Sequence, residues 1–369
     1  MADGDPAGGR EDAIARLRLI RTSGIGPVTY AQLSARFGSA AAALAAVPEL
    51  ARRGGGRPPV IASRADAERE MAAVARIGAH HLFRGQAGYP ALLAEIDSAP
   101  PALIVSGKAE LLDRPAIAMV GARNASAAAV RFARQLAHGI AEAGMVVVSG
   151  LARGIDTAAH HGSLERGTVG VVAGGADIFY PPENEALQRA IATDGLLVAE
   201  QPPGTEPKAR HFPYRNRIIA GMSLATVVVE AAPRSGSLIS ARFAAEFGRE
   251  VMAVPGSPLD PRAQGCNQLI RDGATLIQSA ADVMESLNPF GDRPFAEPPS
   301  RYDAPPASLD ASERDRAAIA SLLGPTAVSV DEIVRQSGLA PAIVQTVLLE
   351  LELGGRLERH AGGRVALIG

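Results

Sequence analysis

The chain has no tryptophan, a single cysteine, and aromatic residues at only 4% of its 369 positions. Packing must therefore fall on Ala, Val, Leu and Ile, and a hydrophobic content of 47% supplies enough of them for a sizeable core. The lone thiol, Cys266, excludes an intrachain disulfide and any zinc site built on cysteines, and fits a reducing cytoplasm. No apolar run approaches the ~20 residues that a membrane helix needs. The acidic start (Asp3, Asp5) lacks the apolar stretch of a signal peptide. A strong positive charge is missing too: the formal net charge of −2 argues against a broad electrostatic coat for duplex DNA. Any nucleic-acid site must be local. The run Gly-x-x-x-x-Gly-Lys-Ser/Thr is also absent, which excludes a P-loop NTPase.

Against that background one segment stands out. Between positions 208 and 217 lie Lys208, Arg210, Arg215 and Arg217, with no acid among them, interleaved with Phe212, Tyr214 and Asn216. Guanidinium groups fork onto phosphate oxygens, and aromatic faces stack on bases. The combination, at the start of an expected amphipathic helix, suits single-stranded nucleic acid better than a metabolite.

Five parts are expected along the chain. Residues 1–10 read as a frayed tail. Residues 11–80 form a helical module, in which Thr22-Ser23-Gly24-Ile25-Gly26-Pro27 resembles the turn of a helix-hairpin-helix: two glycines for a tight turn, and Pro27 at the first position of the next helix. Residues 81–288 alternate short β-rich runs (Ile117–Val120, Met145–Val148, Val169–Val172, Leu196–Ala199, Ala225–Val229, Val251–Val254) with amphipathic stretches. This is the pattern of an α/β, Rossmann-like, doubly wound and mostly parallel sheet. Residues 289–307 read as a Pro-rich linker. Residues 308–369 read as three helices and a strand pair, a winged-helix plan. Its third helix, Pro341–Leu353, carries Glu350 and Glu352 but no Lys or Arg. Major-groove readout needs such donors, so packing or protein contact is expected of it, not transcriptional readout of a promoter.

Doubly wound sheets bind ligands at the carboxyl ends of their strands. The expected strand ends read Gly121-Ala122-Arg123, Ser149-Gly150-Leu151-Ala152-Arg153-Gly154, Gly174-Gly175-Ala176-Asp177, and Pro233-Arg234-Ser235-Gly236-Ser237. Glycines admit close backbone approach, and helix N-termini offer free N–H groups. Four such clusters on one edge point to anion binding. A dinucleotide cofactor is not expected, because Arg123 stands where the second glycine of Gly-x-Gly-x-x-Gly belongs. His160-His161 beside Asp156 does not make a metal site, since cysteine is absent and no carboxylate has a clear ligand spacing.

The ordered motifs Ser149-Gly150-Leu151-Ala152-Arg153-Gly154-Ile155-Asp156-Thr157-Ala158-Ala159-His160, Gly174-Gly175-Ala176-Asp177-Ile178-Phe179-Tyr180-Pro181-Pro182, Phe212–Gly221, Val228-Val229-Glu230-Ala231, Ser235–Ala241 and Gly265-Cys266-Asn267-Gln268-Leu269-Ile270-Arg271-Asp272-Gly273-Ala274 resemble the DNA-processing protein A (DprA/Smf) family. The resemblance implies a cytoplasmic, dimeric, non-catalytic recombination mediator. It would coat incoming single-stranded DNA during natural transformation and help load the RecA recombinase. The expected DNA contacts are Gly121, Arg123, Ser149, Gly150, Arg153, Gly154, Lys208, Phe212, Arg215, Asn216, Arg217, Ser235, Gly236 and Ser237. The expected dimer face is the apolar segment around Leu269 and Ile270. The alternative is a Rossmann-fold nucleotide-cleaving enzyme of the phosphoribohydrolase type, with Asp156 or Glu230 nominated as its acid. The motif turn of those enzymes, Pro-Gly-Gly-x-Gly-Thr, is here Pro233-Arg234-Ser235-Gly236-Ser237, and the acid that follows it is missing.

Overall fold

The computed structural model describes residues 6–287, 310–360 and 362–368. The Pro-rich segment 289–307 lies outside them, as does the start of the expected tail. The chain divides into two compact units, Glu70–Phe295 and the paired segments Met1–Arg69 and Ala296–Gly369.

The first unit holds a nine-stranded sheet: β1 (His80–Phe83), β2 (Ala102–Gly107), β3 (Ala116–Gly121), β4 (Val146–Ser149), β5 (Thr168–Val172), β6 (Leu196–Ala199), β7 (Ala225–Val229), β8 (Glu250–Ala253) and β9 (Thr275–Leu276). The spatial order is β1-β2-β6-β5-β4-β3-β7-β8-β9. From β6 to β9 every pairing is parallel; β2 alone runs antiparallel, between β1 and β6. All six expected strands are present, and the fold is the Rossmann-like doubly wound sheet. β1, β2 and β9 were not anticipated.

Alternation along the strands builds two cores. Ile117, Met119, Val147 and Val227 pack against Leu136, Ala137 and Ile140 of the helix Ala127–Glu142 on one face. Ala118, Val120, Val148 and Val228 pack against Ile218, Ile219 and Met222 on the other. Small residues do the close work, as the absence of tryptophan requires.

The second unit joins both ends of the chain. Its N-terminal helices are Pro6–Arg21, Pro27–Phe37 and Ala40–Arg53. The first begins at Pro6, so residues 6–10 are helical where a tail was expected. The turn before Pro27 has Gly24 at φ 81°, which a side chain rarely adopts. Its C-terminal part has helices Glu313–Ser321, Val330–Ser337 and Pro341–Leu353, and strands β10 (Val328–Ser329), β11 (Leu357–His360) and β12 (Arg364–Leu367), ordered β10-β12-β11. This is a winged helix. Ser329 caps its helix through the Glu332 N–H at 3.2 Å, while the Glu332 carboxylate turns to Arg335 and Gln336. The two ends share a core, in which Leu349 and Leu353 pack among Ala43, Val47, Leu50 and Ala51. Among the described residues no helix is long and apolar enough to cross a membrane.

Candidate nucleic-acid interface

The parallel sheet reverses strand order between β3 and β7, where ligands of doubly wound folds normally sit. That position is filled by the protein itself. Glu230, which follows β7 at a strained φ of 52°, accepts the Ser126 N–H at 2.7 Å, at the N-terminus of the helix Ala127–Glu142. Arg262 lies 3.4 Å from its other oxygen. A helix start that elsewhere faces a pyrophosphate thus already holds a carboxylate. Glu230 is nearly buried, and its two oxygens are engaged by the helix start and by Arg262.

The open cavity lies next door, over the ends of β3, β4 and β5. Its volume is about 330 Å³, and Arg123, Gly150, Arg153, Gly174, Tyr180 and Arg215 are among its lining residues. Phe212 stands in its wall. The Phe212 ring is 5.6 Å from the Tyr180 ring, tilted at 58°, and the Arg123 guanidinium lies 5.2 Å from the Phe212 centroid. The helix His211–Gly221 places Phe212 and Arg215 one turn apart, so that both face the cavity.

Below the cavity floor sits a buried ion pair. The Asp156 carboxylate accepts the N–H groups of Gly150 and Ala152 at 3.2 and 3.3 Å, and Arg215 Nη1 lies 3.9 Å away. Burial pushes the Asp156 carboxyl up, while Arg215 and the two amides oppose the shift. Burial lowers Arg215, but a guanidinium stays charged at neutral pH. Among the described residues Arg215 Nε has no hydrogen-bond partner. Asp156 therefore steadies the β4 turn and orients an arginine; it is not a free acid.

Two glycines of this turn are explained by close approach. A Cβ on Gly150 would fall 1.2 Å from Arg215 Nη1. Gly154, at φ 75°, would place one 2.3 Å from the Ala122 carbonyl. Gly121 is equally tight, with the Val229 carbonyl 2.0 Å from such an atom. Close backbone and side-chain approach is what these three positions require.

The expected contact residues separate into groups. Arg123, Gly150, Arg153, Phe212 and Arg215 line the cavity together. Arg153 is exposed and pairs with Glu183. Lys208 is exposed on the approach to the helix. Ser149 is fully buried, its hydroxyl donating to the Met119 carbonyl at 2.6 Å, so it is a packing residue. Arg217 points the other way: it is buried, donates to the Ser98 carbonyl, and meets Glu200 at 2.5 Å. Residues two apart on a helix do not share a face. Asn216 reaches the Gly236 carbonyl at 3.4 Å. Ser235 and Ser237 are spent on each other at 2.7 Å, capping the helix Gly236–Glu246. None of these last four residues lines the cavity. Sequence reasoning had not placed Asn124, Tyr180 or Pro207 at the site; the run Phe179-Tyr180-Pro181-Pro182 after β5 was the available signal. Leu269 and Ile270 are half-buried against the sheet core. Among the described residues no group of three or more His, Cys, Asp and Glu is placed to hold a metal ion.

Each of the three parts of the chain is similar to known proteins. Residues 80–288 match the family described as DNA recombination-mediator protein A; residues 10–73 match a DprA-like N-terminal HHH domain and 303–363 a DprA winged helix domain. The DNA processing protein DprA of Streptococcus pneumoniae is 46% identical over 198 residues, 53% of this chain and 70% of that one. Protein Smf of Escherichia coli is 36% identical over 293 residues, 78% of each chain. Among solved structures, DNA processing protein A from Streptococcus pneumoniae superposes with a TM-score of 0.57 at 41% identity, covering 60% of this chain and 77% of that one. DNA processing protein A from Helicobacter pylori, solved for its single-stranded DNA binding mode, gives 0.52 at 27% identity, covering 57% and 95%.

Proposed function

The chain belongs to the DNA recombination-mediator protein A family, and on that footing we propose that it binds single-stranded DNA across the β3–β5 edge of its sheet. The observation that carries the reading is the placing of Arg123, Phe212 and Arg215 around one cavity. Arginine at the rim takes phosphate, and Phe212 with Tyr180 takes the face of a base. Duplex DNA presents no free base face and is not the favoured ligand. The Helicobacter pylori relative, described for its single-stranded DNA binding mode, supports the same assignment.

The protein acts in this reading as a non-catalytic mediator, in the cytoplasm, as a homodimer that covers single strands and helps load the RecA recombinase. The phosphoribohydrolase alternative needs a free carboxylate in the cavity, whereas Asp156 and Glu230 are both engaged. Titration by anisotropy with labelled oligothymidine and with AMP separates the two. Oligothymidine binding with AMP left intact supports the mediator; release of adenine from AMP would replace it with the enzyme.

A further inference from the structure

The third helix of the winged helix, Pro341–Leu353, has two buried faces. Val344, Val347, Leu348 and Leu351 point into the winged-helix core with Ile319, Ile333 and Val365. Leu349 lies about 200° around the helix from Val347, at 3.6 residues per turn. It belongs, with Leu353, to the core of the N-terminal helices, where the two are 2% and 3% exposed. In helix-turn-helix modules the outward face of the recognition helix enters the major groove. Here that face is covered by the helix Ala40–Arg53.

The contact is built for close approach. A Cβ on Gly54 would fall 1.9 Å from the Glu350 carbonyl oxygen, and one on Gly56 would fall 1.7 Å from that of Gly354. The run Gly54-Gly55-Gly56 is the place where backbone meets backbone. Polar bonds close the rim. Gln32 donates to Gln345 at 2.9 Å, Arg359 donates to Gln32 at 3.3 Å, and Arg53 meets Asp310 at 3.0 Å. The helix contributes no cation to this face, and its Glu350 is buried and held by Arg316 at 2.8 and 2.9 Å.

We propose that the outward face of Pro341–Leu353 is a protein-docking surface whose resident partner is the N-terminal helical module of the same chain. The winged helix then works as a clasp that joins the two chain ends, and it does not read duplex DNA.

The full-length Gln32→Cys/Gln345→Cys variant, treated with a short bis-maleimide, tests the contact. Cys266 does not compete, being fully buried with its thiol pushed up to about 11. The expected product is an internally linked single chain, absent from either single variant. No link, or links only between two chains, would overturn the proposal. Full-length Leu349→Asp provides a second reading by amide exchange. Exchange in Ala40–Arg53 should quicken at least tenfold while β3, β4 and β7 stay unchanged; unchanged exchange in that helix sinks the contact. Duplex affinity should be no higher in Leu349→Asp than in the unaltered chain, a gain of tenfold or more being the contrary result. Such a gain would make the N-terminal module a cover over a DNA reader and overturn the docking role.

Discussion

Arg215 and Asp156 face each other across 3.9 Å in the interior, with Asp156 also accepting from two backbone amides and Arg215 Nε without a partner among the described residues. Breaking such a pair leaves an uncompensated buried charge, a loss of roughly 3–5 kcal/mol. Arg215→Ala and Asp156→Ala should therefore both lower the urea midpoint strongly, followed by circular dichroism because the chain has no tryptophan. The double variant should lose less than the sum of the two singles. Additive losses would show that the residues do not act as a pair.

Arg123 and Arg217 make the opposite comparison. Arg123 is exposed over Phe212, whereas Arg217 is buried against Ser98 and Glu200. Arg123→Ala should weaken oligothymidine binding about tenfold to a hundredfold, from the loss of a charge-assisted contact of roughly 1.5–3 kcal/mol, with stability unchanged. The slope of log affinity against log salt should flatten by about 0.7 for the lost phosphate. Arg217→Ala should lower stability and leave the affinity of the folded protein close to wild type. Equal effects on binding would return Arg217 to the interface.

The contrast shows what the sequence can carry. The parallel core was legible because fully buried strands are continuous β-branched runs, such as Ala225–Val229, set between helical segments. β1 and β2 were not, because Leu103-Ile104-Val105 follows Pro100-Pro101 and its antiparallel partner is only four residues long. The arginine-aromatic run was legible as chemistry but not as direction. Helical spacing alone separates Arg215 from Arg217, yet only the fold shows which of them meets the cavity and which meets Glu200. The burial of Ser149 is likewise a tertiary fact, whereas the Ser235–Ser237 contact is a local helix cap.

Gly150 and Gly154 should respond differently to the same added methyl. Gly150→Ala drives into the Arg215 Nη1 that faces Asp156, so binding and stability should both fall. Gly154→Ala meets the Ala122 backbone at a positive φ, and strain of this kind costs about 1–3 kcal/mol. It should appear mainly as lost stability. Paired oligothymidine titrations and urea melts decide; an unaffected Gly154→Ala would show that the first turn does not lie against it.

His160 gives the core a pH dependence. The ring is fully buried, its Nδ1 lies 2.8 Å from the Thr168 hydroxyl, and its Nε2 has no partner among the described residues. Burial pushes its pKa down to about 3, with His161 and Arg215 adding to the shift. The unfolded chain, with a normal imidazole near 6.5, binds the proton first. Stability is thus complete above about pH 6.5 and falls as the pH drops towards about 3, by up to roughly 1.4 kcal/mol per unit. His160→Gln should flatten the acid limb between pH 6.5 and 4.5. An unaltered limb would assign the loss to other groups.

Removing the winged helix is the sharpest division of labour. The cavity residues all lie within Glu70–Phe295, so a chain ending at residue 288 should keep oligothymidine affinity within about threefold, under roughly 1 kcal/mol. The N-terminal helices should fare worse. They lose Leu349 and Leu353 from their core, and each large buried side chain removed typically costs about 2–5 kcal/mol. Proteolysis should then cut within Pro6–Arg53 of the shortened chain while the sheet persists. Loss of most of the affinity with the sheet intact would move DNA off the β3–β5 edge. An N-terminal module that still resists protease would mean that its own three helices suffice, leaving the clasp without a structural purpose.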